Sequence, residues 1–276
     1  MYNNSMKLEI KKIGINGEGI AYDQKKPVFV PGTFPGEVVE ATISEKKAHY
    51  AHAKINRILQ KAHYRRQSPS PIEEQLGHPF FGIEYEKQLT FKLDLLTEAL
   101  WKYAKVKRHW VRKINPSENE FSYRNQCKLP IQERQGKLDC GLFSPNSNQF
   151  QVVHHFLTHD PEVERIRKEL LAILNQHHFP AYSHKTKQGL RYIVIRCIHG
   201  ISQATLITGK DTLNKCLIDD FKKIPHLHSL HQSWNTSKQS LQFFGKRTKL
   251  LFGKKHLLIP FSSIYLHVSP EAFFQL

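Results

Sequence analysis

Residues 13–43 read IGINGEGIAYDQKKPVFVPGTFPGEVVEATI. In this stretch Gly14, Gly17, Gly19, Gly32 and Gly36 punctuate short β-branched and aromatic runs. Glycine is needed where φ is positive or the backbone bends sharply, so the spacing predicts tight turns and barrel corners. Strands are expected over residues 27–30 (PVFV) and 37–43 (EVVEATI), with a less regular third over residues 51–59 (AHAKINRIL). Short, curved strands bent at glycines read as a small closed barrel, which removes the unpaired edges of an open sheet.

The same stretch carries a resemblance. The order G-x-N-G-E-G-I-A-Y followed by V-F-V-P-G-T-x-P-G-E-x-V resembles a TRAM domain, an OB-like RNA-binding barrel. It is similar to the barrel at the N-terminus of the bacterial SAM-dependent RNA (uracil-5-)-methyltransferases.

A length of 276 residues accommodates two domains, and 39 % hydrophobic with 11 % aromatic residues is enough for real cores. No apolar run approaches the ~18 residues that span a bilayer, and the opening MYNNSMKLEI lacks the apolar heart of a signal peptide. The expectation is a cytoplasmic protein without a membrane partner. The net charge is +17, divided as +3 over residues 1–60, +5 over 61–115 and +9 over 116–276. An excess spread along a globular chain points to a polyanionic partner or to a solvated basic surface, and the barrel favours RNA. Cys127, Cys140, Cys197 and Cys216 form no C-x-x-C pair, and Cys127 and Cys197 sit in strand-like runs as small apolar residues.

Residues 61–84 read as a linker broken by Ser68-Pro69-Ser70-Pro71 and Gly77-His78-Pro79. In the resembled family an iron–sulfur cluster takes three cysteines here and a fourth further on. Counting back from Tyr85-Glu86-Lys87-Gln88-Leu89, the C-G-G-C positions fall on Gln75-Leu76-Gly77-His78 and the first cysteine near Ser70-Pro71. The fourth falls on Phe156. A cubane needs four ligands, so the resemblance implies a member with no iron–sulfur cluster.

A helix is expected from Tyr85 to Tyr103, with Tyr85, Leu89, Leu93, Leu96, Leu100 and Tyr103 as one core-facing apolar stripe. Next come Lys105, Lys107, Arg108, Trp110, Arg112 and Lys113, five positive charges around one aromatic. That combination suits RNA, the ring stacking on an unpaired base and the charges positioning phosphates. It equally suits a solvated hairpin with Trp110 packed inward.

From Tyr123 a strand series YRNQCKLPIQ, KLDCGLFS and NQFQVVHHFL predicts an antiparallel meander. Arg124 and Asn125 suit RNA or interdomain contacts, or simple strand capping. Asp160-Pro161 opens a helix whose buried face is Val163, Ile166, Leu170 and Leu174. Residues 189–209 form a hairpin turning at His199-Gly200. There Arg191 and Arg196, an odd number of residues apart, face opposite sides, so at most one meets a given ligand. A second helix is expected over residues 211–223 through Leu213, Leu217 and Phe221. His226, His228 and His231 lack the spacing of a zinc site.

Three further runs strengthen the resemblance to the family's central domain: Tyr-Arg-Asn at residues 123–125, Gly-Leu-Arg-x-x-Val-Ile-Arg at 189–196, and the closing S-P-E-A-F-F-Q-L. In the family the last is the bridge into the Rossmann-like catalytic domain, and its glutamine, here Gln275, lies against SAM. The expected fold class is therefore mixed: a small OB-like barrel (residues 1–60), the linker, and an α+β central domain with an antiparallel sheet (85–268). Residues 269–276 begin the bridge, and the Rossmann-like methyltransferase domain is absent. The resemblance implies the RNA-binding portion of an RNA uracil-5-methyltransferase truncated before its catalytic residues. Its RNA would be 23S rRNA in preference to tRNA, and it would bind no SAM alone. A stand-alone RNA-binding protein is the alternative.

Overall fold

The computed structural model describes residues 5–107, 110–145, 147–238 and 243–274. The chain divides into two compact units, Met1–Glu118 and Asn119–Leu276.

In the first unit, β1 (Ser5–Glu9), β2 (Lys12–Ile13), β3 (Gly19–Asp23), β4 (Lys26–Val30), β5 (Val38–Lys46) and β6 (Ala51–Gln60) form one sheet in the order β1-β5-β6-β4-β3-β2. The run from β1 into β2 closes it. β1 pairs with β5, Ile10 N–H donates to Glu37 O at 2.9 Å, and Lys11 N–H then donates to Ile20 O at 2.9 Å. One continuous segment thus serves both edges, so alternate side chains can fill an enclosed core of Leu8, Ile10, Ala21, Val28, Val30, Val39, Ala41, Ala51 and Ala53. Gly19 is obligatory at this corner, because a Cβ there would lie 2.1 Å from Thr33 Oγ1.

The loop that leads into β5 is held by Glu37, whose side chain has no exposed surface. Its carboxylate accepts from Phe34 N–H at 2.9 Å, Ala62 N–H at 3.3 Å, and Arg65 at 2.5 and 2.8 Å. Arg65 also donates to Gly32 O at 2.7 Å and lies over the Phe34 ring at 4.6 Å. Behind this pair, Ile13, Phe34, Ala62, Tyr64, Ile83 and Phe91 make a second core. It seats α2 (Tyr85–Ala99) within the first unit, after α1 (Pro71–Leu76) and a 3-10 turn at Pro79–Gly82. The sequence had assigned α2 to the central domain.

The expected apolar stripe of α2 is corrected. Gln88, Phe91 and Thr97 are its buried residues, whereas Leu96 is 46 % exposed and Tyr103 79 %. Phe91 is the cause, wedged between the Tyr64 and Phe80 rings at 5.6 and 6.3 Å, which turns the helix about its axis. The helix then runs into a π turn over Leu100–Ala104, which shifts the phase of the residues beyond it.

The second unit is built on a seven-stranded sheet. Its strands are β7 (Gln126–Arg134), β8 (Lys137–Phe143), β9 (Phe150–Val152), β10 (Leu190–Ile198), β11 (Ile201–Thr208), β12 (Leu227–Trp234) and β13 (Arg247–Gly253), in the order β13-β12-β11-β10-β7-β8-β9. The meander β7–β8–β9 is antiparallel as expected, and His199 and Gly200, both at positive φ, make the β10–β11 turn. The sheet as a whole is not antiparallel, which corrects the expected fold class. β11 and β12 run parallel, because the chain between them makes a crossover through α4 (Lys215–Phe221). The barrel also contains a parallel pair, β4 with β6. A hairpin of β14 (Leu257–Phe261) and β15 (Ile264–Val268) packs against Ile198.

α3 (Pro161–Gln176) is capped by Asp160, which accepts from Glu162 N–H at 2.8 Å, and buries Val163, Ile166, Leu170 and Leu174. Its face also carries charge. Glu164 accepts from His159 at 2.8 Å, Arg167 at 2.8 and 3.0 Å, and Phe156 N–H at 3.3 Å, and Arg167 reaches Cys140 Sγ at 2.9 Å. Burial pushes the Glu164 carboxyl up, but the hydrogen bonds from His159 and Arg167 and the Arg167 charge outweigh it and hold it at about 2. Because this value lies below the unfolded one of 4.5, the stability it contributes is present above about pH 4.5 and lost as pH falls toward 2. The difference corresponds to about 3 kcal/mol. Acid unfolding of the second unit followed from pH 6 to 2.5 should lose stability of that order. Glu164→Gln should start lower and flatten this segment of the curve; an unaltered acid dependence would exclude Glu164 as its origin.

Candidate nucleic-acid interface

The π turn leaves the first unit with a surface of rings and cations. Trp101, Tyr103 and Trp110 are 55, 79 and 73 % exposed. Lys105, at φ +56, ends the turn in a left-handed conformation, and its Nζ lies 6.0 Å from the Trp101 ring centre. Lys102 Nζ lies 5.2 Å from the Tyr103 centre. Lys107, Arg112 and Lys113 are exposed alongside, and Arg108 lies outside the described residues. Below Trp101 a cleft of about 550 Å³ is lined by Asp94, Thr97, Glu98 and Lys107, and Glu98 is tied to Lys12 of β2 at 2.9 Å.

Such a surface can stack unpaired bases on its indoles and hold phosphates with its ammonium groups. The sequence singled out residues 105–113 but gave Tyr103 to the core and passed over Trp101. The signal available was the sequence Leu100-Trp101-Lys102-Tyr103, in which charge and aromatic residues alternate too closely for one buried helix face.

In the second unit the four sequence-predicted residues separate. Arg124 is exposed, its guanidinium 6.0 Å from the Tyr123 ring, while its backbone is held by Thr158 O and Asp160 N–H. Asn125 is half-buried and its carbonyl accepts from Cys197 N–H. Arg191 and Arg196 are both buried, at 7 and 1 % exposure. Arg191 donates to Asn235 Oδ1 at 3.2 Å and Ser237 O at 2.7 Å, between the rings of Tyr182 and Tyr192. Arg196 donates to Ser269 O at 2.9 Å and to Ala272 O, and burial pushes its guanidinium down to about 10. A β-bulge between Leu190 and Tyr192 interrupts the alternation expected to set them on opposite faces, and both arginines work inside the fold. The clue is β10 itself, apolar on both faces and buried at every position.

At the family's cluster positions Gln75 and Gly77 are exposed, Leu76 and His78 half-buried and Phe156 buried. Gln75 and Leu76 end α1, the His78 ring stacks on Phe81 at 4.9 Å, and Phe156 stacks on His159 at 4.4 Å. Cys127, Cys140 and Cys197 are buried and Cys216 is exposed; burial raises the Cys127 thiol well above its ordinary value. Gln275, the residue that the resemblance carries over for SAM, lies outside the described residues. The cavity beside Ser269, Pro270 and Glu271, of about 360 Å³, is lined by His231, Lys255 and His256, and Glu271 already accepts from Thr248 at 2.7 Å.

Residues 4–55 match the TRAM domain family. Over 98 % of its length the chain is 34 % identical to an uncharacterized RNA methyltransferase of Lactobacillus johnsonii, and over 97 % it is 32 % identical to one of Bacillus anthracis. The chain spans about 60 % of the length of these relatives. Its fold follows, over 98 % of the chain at a TM-score of 0.70 and 19 % identity, the Pyrococcus abyssi tRNA (uracil-54, C5)-methyltransferase solved with S-adenosyl-L-homocysteine; the match covers 61 % of that chain. The chain therefore contains a TRAM domain and is homologous to RNA methyltransferases over nearly its whole length. The likeness also overturns the expected exclusion of a Rossmann-like methyltransferase domain, since two large mixed sheets follow a methyltransferase fold that extends past the matched part. Among the described residues no helix is long and apolar enough to cross a membrane.

Arg196→Ala leaves two carbonyls without their charged donor, each such bond being worth roughly 1.5–3 kcal/mol. Amide exchange within residues 269–274 should rise tenfold or more. Arg196→Lys should restore only part of the protection, because an ammonium lacks the planar fork. RNA affinity should be unchanged; a loss of affinity with unchanged exchange would return Arg196 to the interface.

Proposed function

We propose that this chain is the RNA-binding portion of a SAM-dependent RNA uracil-5-methyltransferase, acting in the cytoplasm, where three buried cysteines and one exposed cysteine stay reduced. The observation that carries the reading is the exposed Trp101–Trp110 surface with its lysines, standing next to a barrel that matches the TRAM family. The RNA-binding residues we assign in the first unit are Lys105, Lys107, Arg108, Trp110, Arg112 and Lys113 together with Trp101; separately, Arg124 and Asn125 are assigned in the second unit. Arg191 and Arg196 are positioning residues within the sheet. The cluster positions hold no thiolate, so we read the protein as cluster-free, with SAM as the methyl donor of the whole protein.

The resemblance of the TRAM motif favours 23S rRNA as the substrate. A second reading is tRNA, supported by the fold likeness to the tRNA (uracil-54, C5)-methyltransferase. Both are uridine-bearing stem-loops, and contacts of lysine to phosphate do not separate them.

The test is salt-dependent binding to single-stranded and stem-loop RNA, with 23S rRNA fragments and tRNA as competitors. Affinity should fall with salt at a log–log slope of about 0.7 per phosphate neutralised. Lys105, Lys107 and Lys113 replaced together by Ala should flatten the slope by about 2 units. An unchanged slope would remove this surface from the interface, and preferential competition by tRNA would decide for the second reading.

A further inference from the structure

The outer wall of the barrel holds an aromatic cluster formed by residues other than those of the 101–113 surface. Phe29 of β4 and His52 of β6 are register partners in the parallel pair, and Tyr50 joins them from the turn before β6. Ring centres are 5.4 Å apart for Phe29–His52, 5.8 Å for Phe29–Tyr50 and 5.5 Å for Tyr50–His52. The two contacts with Tyr50 are edge-on, and the Phe29–His52 planes are inclined by 32°.

Strand alternation puts this cluster outside. Val28, Val30, Ala51 and Ala53 point into the core, so Phe29 and His52 point away from it. Phe29 and His52 are half-buried, by each other and by Tyr50, which is itself 37 % exposed. An outward strand position ordinarily carries a polar residue, so three rings grouped there leave an apolar face in water.

The surroundings are cationic. Lys25, Lys26, Lys46, Lys47 and Lys54 are exposed on the strands and turns that flank the rings. Only Lys47 of these carries an ion pair among the described residues, to Glu45 at 2.5 Å. Lys25 is fixed in a turn at φ +67, and Lys54 follows His52 on the same strand face.

Three rings grouped on an outward face present mainly apolar π surface to solvent. That surface fits the flat face of a base, and the lysines around it fit the phosphates on either side. We infer that Phe29, Tyr50 and His52 form a stacking platform for unpaired bases of RNA, with Lys25, Lys26, Lys46 and Lys54 holding the flanking phosphates. The inference rests on the RNA-binding reading given above. The platform is tolerant of sequence, because every base offers a π face, and it reads strandedness, because a paired base does not expose that face.

The experiment uses the full chain and a 12-nucleotide single-stranded RNA carrying 2-aminopurine, beside the same oligonucleotide with abasic sites and a duplex control. Wild type should quench the 2-aminopurine and prefer the base-bearing strand to both others. Tyr50→Ala should weaken binding several-fold, and Phe29→Leu with Tyr50→Ala about tenfold or more. In both variants the salt slope should be unchanged and the preference over abasic RNA reduced, the remainder coming from the Trp101–Trp110 surface. Tyr50 is exposed and leucine keeps the apolar bulk of Phe29, so the barrel stays folded. Wild type that binds base-bearing and abasic strands alike, or variants that bind as wild type does, would overturn the platform while leaving RNA binding intact. A wild-type chain that binds none of the RNAs would overturn both.

Discussion

The first unit depends on one buried charge pair. Glu37 has no contact with water, and such a carboxylate is tolerable only when its oxygens are saturated by donors and a counter-charge. Phe34 N–H, Ala62 N–H and the two-pronged Arg65 supply them. This fixes the Gly32–Gly36 loop against the chain that leaves the barrel, with Arg65 bonded back to Gly32 and laid over Phe34. Tyr64, next to Arg65, then forms with Phe91 the core on which α2 rests. The rings and cations of residues 101–113 stand at the far end of that helix. Glu37, one residue of the TRAM-like motif, thus positions a surface more than sixty residues away in sequence.

How much of this could be read beforehand follows from which forces leave a local trace. The barrel strands were legible because alternation and glycine placement are local, and observed β4, β5 and β6 lie close to the expected runs. The cap and buried face of α3 were legible for the same reason. The face of α2 was not, since Phe91 decides it through contacts with Tyr64 and Phe80, and the π turn then breaks the period. Nor was the parallel β11–β12 pair, which depends on how a crossover returns to the sheet. Arg191 and Arg196 mislead in a third way. Strand parity assigns them to opposite faces, but both faces of a central strand are interior, so each arginine is spent on carbonyl groups elsewhere in the second unit.

The net charge of +17 therefore needs to be divided before it is used. Arg65 and Arg167 are neutralised by buried carboxylates, and Arg191 and Arg196 are buried on carbonyls, so none of the four makes direct contact with a polyanion at the surface. Lysines dominate what is left on the surface of the first unit. Lysine acts as a point charge on phosphate and carries little geometric information, so the cations supply affinity and register. On the proposed RNA-binding reading, discrimination between paired and unpaired RNA would fall to the rings: Trp101, Tyr103 and Trp110 as one group, Phe29, Tyr50 and His52 as another.

The account rests on unpaired RNA lying on the first unit, and site-resolved photocrosslinking tests that directly. The full chain would be irradiated with single-stranded RNA carrying 4-thiouridine, and the crosslinked peptides identified by mass spectrometry. The account predicts adducts at two places, one among residues 25–54 and one among 101–113, both suppressed by unlabelled single strand and spared by duplex. Adducts confined to the second unit, or equal labelling by duplex and single strand, would contradict it.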